Sequence, residues 1–197
     1  MNANDVQTWV IVAVIVLAVV AAAWLLTRER RRRQSVRLQQ RFGPEYSRVI
    51  SARGDRTRAE AELLAREQRV ERLKLVSLTA EDAAKFSQAW GAIQTRFVDN
   101  PRGAVVEADR LVRDLMVKRG YPMADFERRA ADISVDHPAV VDAYRSARAI
   151  ALRDQQNQAS TEELRKAVVY YRTLFDELLE VRHPRQAPTP NTEAIHT

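Results

Sequence analysis

The chain contains no cysteine. That excludes disulfide frameworks, thiolate zinc sites and cysteine nucleophiles. Its five glycines stand apart, at 43, 54, 91, 103 and 120, so no glycine-rich loop precedes a helix to cradle a phosphate. The three histidines, at 137, 183 and 196, lack the helical or turn spacing of metal ligands. Paired Glu-x-x-His motifs, which would mark a carboxylate di-iron bundle, are missing. No run alternates polar and apolar residues at period two, so no strand is predicted. These absences together predict no cofactor, no metal site and no enzyme activity.

Alanine, arginine, glutamate, leucine and valine abound instead, and they favour helix. The net charge of +6 is unevenly spread. Residues 28 to 74 hold 15 basic and 7 acidic side chains, whereas 75 to 197 hold 17 basic and 18 acidic. The basic excess therefore belongs to one segment and does not describe a domain built for nucleic acid, which is not expected as a partner. Aromatic residues are too few in that segment to offer bases a stacking platform.

The longest uncharged run is WVIVAVIVLAVVAAAWLL, residues 9 to 26. With Thr27 it is long enough to cross a hydrocarbon core of about 30 Å at about 1.5 Å per residue. Trp9 and Trp24 mark its two ends, where an indole can bury its ring and keep its N–H among headgroups. Arg28, Arg30, Arg31, Arg32 and Arg33 follow, while the eight residues before the run carry no lysine or arginine. This asymmetry predicts a single-pass protein of the bacterial plasma membrane, with an outer N-terminus (1–8), a span (9–27) and everything after it cytoplasmic. A cleaved signal peptide is the rival. It wants a basic start and a shorter apolar run, and the arginine block here opposes translocation. The five arginines are also possible contacts for anionic lipid headgroups, beside their simpler use as a topology signal.

Residues 28–56 read as a basic juxtamembrane arm, interrupted at Phe42-Gly43-Pro44, with a short helix over 45–52. Arg53-Gly54-Asp55 matches an integrin ligand in letters only and carries no weight here. A linker helix is predicted over 57–74, with Ala59, Leu63, Val70 and Leu73 as its thin apolar stripe. The helical domain, 57–182, then continues as a bundle over 79–182. Thr79 and Ser160 look like N-caps, the latter in a capping box with Glu163. Phe86, Trp90, Ile93 and Phe97 mark a core face, and further helices are predicted over 104–119, 123–133, 138–154 and 161–181. The tail over 183–197 has proline and small polar residues without periodicity and is predicted to be disordered.

One constellation stands apart. Asp136 beside His137 is a candidate enzyme or ligand-sensing site, since a carboxylate can orient an imidazole, with Ser134 close in sequence. Neighbouring residues seldom face each other, so a packed turn is the plainer reading of Asp136-His137-Pro138.

The strings RFGPEYSRVI, RFVDNPRGAVVEADRLV, RGYPMADFERRAADISVDHPAVVDAYR and STEELRKAVVYYRTLFDELL are similar to a family of uncharacterised bacterial proteins. Its members pair one N-terminal hydrophobic segment with a helical region, and the resemblance covers roughly residues 38 to 180. It implies a bacterial, membrane-associated setting and brings no activity, cofactor or catalytic residue. It also implies that the Arg-Gly-Tyr-Pro and Asp-His-Pro turns belong to the family's pattern. The reading is therefore all-α: an N-terminal transmembrane helix, a linker helix and a small bundle. Its partners would be the lipid bilayer and a protein, another copy of the chain included, in a scaffolding or regulatory role.

Overall fold

A computed structural model describes the backbone of residues 3–179, with side chains for Leu17 and for residues 19–179. The side chains of 9–16, Trp9 among them, lie outside the described residues, as does the tail over 183–197. Every regular element among the described residues is helical, in agreement with the all-α expectation. The helices are α1 (Ala3–Phe42), α2 (Pro44–Arg53), α3 (Arg56–Glu71), α4 (Ala80–Asp99), α5 (Pro101–Lys118), α6 (Phe126–Asp136), α7 (Val141–Gln155) and α8 (Thr161–Leu179). Among the described residues, which leave out the side chains of 9–16, no helix is long and apolar enough to cross a membrane.

Contacts divide the chain into two compact units, Met1–Leu64 and Ala65–Thr197, and the division falls inside α3. In the first unit α1 is unbroken over 40 residues, about 60 Å at 1.5 Å per residue. Its described side chains are exposed up to Arg33, and packing begins only at Ser35. Leu38 and Phe42 then recur at helical spacing, and both are fully buried together with Ala59 and Leu63 of α3. Gly43 ends α1 at φ +50°, where a side chain would be strained, and Pro44 starts α2 at once. The Tyr46 hydroxyl donates to Glu60 at 2.7 Å, which ties α2 to α3.

The second unit is built around α8. This helix buries Leu164, Ala167, Tyr171, Leu174, Phe175 and Leu178, and it packs on α5 and α7, while α4 lies on α5 and α6 on α7. The predicted core face of α4 is present, with Trp90 and Ile93 buried and Phe86 and Phe97 partly so. Trp90 stacks on Phe175 with ring centroids 4.7 Å apart. Four side chains set the helix starts by accepting backbone N–H groups that have no intrahelical partner. Thr79 takes Asp82 N at 3.1 Å, Asn100 takes Gly103 N at 2.9 Å, Asp125 takes Arg128 N at 2.9 Å and Ser160 takes Glu163 N at 3.3 Å. Glu163 returns a bond to Ser160 N at 2.8 Å, so the expected capping box is closed. Those bonds hold the Glu163 carboxyl down at about 2.

Several helix boundaries differ from the sequence reading: α3 ends at Glu71 instead of 74, and α5 starts at Pro101 instead of 104 because Asn100 caps it. Helix α6 starts and ends three residues later than 123–133, because Asp125 caps it and His137 N still reaches Ile133 O at 2.8 Å. Helix α7 starts at Val141 rather than Pro138. Neither Asp136 nor His137 caps it; His137 closes α6 instead, and the next residues form a turn in which Val140 N meets His137 O at 3.3 Å.

Two core tyrosines give stability a dependence on alkaline pH. Burial pushes the Tyr144 hydroxyl above its ordinary 10.0, and burial with the Asp109 carboxylate beside it pushes Tyr171 further up. Below about pH 10 both the folded and the unfolded chain keep these protons; above it the unfolded chain ionises first, so stability falls as pH rises. A urea unfolding midpoint followed against pH is expected to drop above about pH 10, and less steeply in Tyr144→Phe. A slope unchanged in that variant would show that Tyr144 does not contribute.

Candidate functional site

The two turns singled out in the sequence meet at one cleft. Helix α5 ends in a reversal at Gly120, whose φ of +93° few side chains adopt. Gly120 N bonds Val117 O at 2.9 Å and Tyr121 N bonds Met116 O at 3.0 Å, which satisfies the last carbonyls of α5. A Cβ on Gly120 would stand 2.6 Å from Lys74 O, so only glycine fits this approach. Val76 N bonds Arg119 O at 3.0 Å and lays the segment before α4 against the turn. The cleft is lined by Leu75, Val76, Ser77, Arg119, Tyr121, Asp136 and His137.

Asp136 and His137 therefore share a site, but they are not each other's partners. His137 is buried at 6% exposure, and its Nδ1 lies 2.9 Å from Glu177 Oε1 on α8. Asp136 instead accepts the Tyr121 hydroxyl at 3.4 Å. Arg119 is also buried and donates to Leu178 O at 3.1 Å, near the C-terminal end of α8. A guanidinium there complements the negative end of the helix dipole. Ser134 is turned to another part of the unit: its hydroxyl donates to Ala131 O at 2.6 Å and accepts from Arg66 at 3.3 Å. The structure does not join Ser134 to the imidazole as a nucleophile to a base.

Size limits what the cleft can do. Its volume is about 80 Å³, room for two or three waters at about 30 Å³ each and well below the 300 Å³ and more of small-molecule pockets. Among the described residues no cluster of His, Asp and Glu could hold a metal ion. The arrangement serves to fasten the C-terminal end of α6 and the α5–α6 turn to α8.

Sequence reasoning missed Glu177, Arg119 and Tyr121 as members of this corner. Glu177 lies 40 positions from His137 and nothing local ties them. Arg119 and Tyr121 were signalled only by the Arg-Gly-Tyr-Pro string. The membrane-interface candidates lie elsewhere. Trp24 is exposed, with the Arg28 guanidinium 5.3 Å from its ring centroid. Arg30 to Arg33 are exposed as well, and Arg33 pairs with Glu29 at 2.9 Å.

No family model matches the chain, and neither a curated protein nor a solved structure matches it.

The His137–Glu177 contact is open to a double-mutant cycle. His137→Gln and Glu177→Gln are each expected to cost about 1 kcal/mol in denaturant unfolding, and the pair less than their sum. Additive losses would show that the two side chains are not energetically joined.

Proposed function

We propose that the chain is a single-pass protein of a bacterial plasma membrane whose second unit works in the cytoplasm as a protein-interaction, scaffolding or regulatory module. In this reading residues 9–27 cross the bilayer with the N-terminus outside, and the protein belongs with the bacterial proteins that its sequence strings resemble. One observation carries the anchor. Leu17, Val19, Val20, Trp24, Leu25 and Leu26 are all exposed, Leu17 at 69% and Leu26 at 63%, on a helix whose described side chains are all exposed up to Arg33. Leaving such side chains in water costs about 25 cal/mol per Å² of apolar surface, and a helix apolar on all sides is at home when lipid or protein surrounds it. The uncharged residues 9–16 extend the same helix to spanning length.

The partner reading draws on a shallow groove of about 260 Å³ along α4 and α5. Ala89, Ala92, Ile93 and Leu111 form its apolar floor, with Arg96, Glu107, Arg110 and Asp114 along it. An apolar strip with a charged rim of both signs has the make-up of a protein-docking surface.

Topology tests this reading. A cytoplasm-active and an export-active reporter, each fused after Thr197, are expected to give activity only from the former, with a full-length product in alkali-washed membranes. Export activity would reverse the orientation and move the module outside the cell. A product released by alkali would remove the anchor.

A further inference from the structure

We propose that the arginines following the apolar run form a collar that gathers anionic phospholipid around α1. The proposal rests on the anchored reading above and gives the membrane partner its chemistry.

Three features of α1 carry it. First, the helix does not break where the charge begins; it runs from Ala3 to Phe42. At about 100° per residue, arginines at 28, 30, 31, 32 and 33 point to every side of the axis instead of forming one stripe. Second, these side chains are available. All five are exposed, and among the described residues only Arg33 is spent on an ion pair, with Glu29. Arg28 leans on the Trp24 ring, which holds its charge at the last turn of the apolar run. Third, the height is right. The collar begins about 3 Å and ends about 10 Å beyond Leu26 along the axis. The headgroup layer on one side of a bilayer is about 5–8 Å thick, so Arg28, Arg30 and Arg31 stand at the height of the phosphates and Arg32 and Arg33 just above them.

Packing of the first unit starts at Ser35, about 14 Å beyond Leu26. Among the described residues, 28–33 is the stretch of α1 beyond the apolar run in which every side chain is exposed. Guanidinium groups pair with phosphate oxygens through paired N–H donors, which favours a lipid phosphate over a diffuse ion cloud. Each arginine can raise the local preference for an anionic lipid by up to about fivefold, an effect that decays within about 8 Å at physiological salt.

The test uses the full chain in nanodiscs of phosphatidylcholine with a minor share of phosphatidylglycerol. Spin-labelled phosphatidylglycerol and phosphatidylcholine report which lipid is enriched in the shell around the helix. The wild-type protein is expected to enrich the anionic label. Arg30→Gln/Arg31→Gln/Arg32→Gln is expected to lose at least threefold of that preference, and Arg30→Lys/Arg31→Lys/Arg32→Lys to lose less, since lysine keeps the charge without the paired N–H donors. Equal preference in the glutamine variant and the wild type, both inserted, overturns the collar and leaves the anchor standing. Failure of the wild-type chain to enter the discs is seen before any lipid is measured, and it overturns the anchor and the collar together.

Discussion

At the seam between α5 and α8 a carboxylate is buried, and the packing of the second unit depends on how it is satisfied. Asp109 sits among Val105, Ala108 and Val112 on the inner face of α5 at 8% exposure. An unpaired ion there would cost several kcal/mol. Tyr171, itself fully buried on α8, donates its hydroxyl to Asp109 Oδ1 at 3.0 Å, and Arg113 reaches Oδ2 at 3.1 Å from one turn along α5. Both oxygens are therefore engaged. Since α8 must carry Tyr171 to that point, this bond fixes the register of α8 on α5. The apolar contacts of α8 with α7 follow from that register, including the edge contact of Tyr144 with Tyr171 at 6.3 Å between ring centroids. Nondirectional burial holds the helices together, and the buried polar pair selects one arrangement among many.

The local code of the chain was readable where one helix's own periodicity or cap decides the outcome. Trp90 and Ile93 read as core, Thr79 and Ser160 as caps, and the break at Phe42-Gly43-Pro44 as a helix end, because each depends on residues within a turn. The Asp109–Tyr171 bond and the Arg69–Asp132 ion pair were not readable, since 62 and 63 positions separate the partners and no local signal at either partner points to the other. Asp125 was overlooked as a cap because Tyr121-Pro122 drew the helix start forward. The Asp136-His137 corner lies between these cases. Its strings marked the place, but the carboxylate facing the imidazole comes from α8, which no local signal names.

If α1 is the anchor proposed above, its continuity is what links sequence to function. A flexible arm after the apolar run would leave the folded parts at a variable distance from the bilayer. One helix that carries apolar residues, then arginines, then the buried face formed by Leu38 and Phe42 would instead hold the first unit at a set height. The charge boundary between Leu26 and Arg28 would fix that height, because guanidinium groups resist entering hydrocarbon and the apolar residues resist leaving it.

Depth along α1 is the most direct measurement. Nitroxide labels placed singly from residue 19 to residue 42, in the full chain reconstituted in vesicles, report access to oxygen and to a water-soluble relaxation agent. The account expects oxygen-rich signals through Leu26, a crossover within the arginines, and restricted motion with helical periodicity on into Phe42. Free access of the water-soluble agent near Val20, or a rapidly tumbling stretch between Arg28 and Arg33, would contradict it.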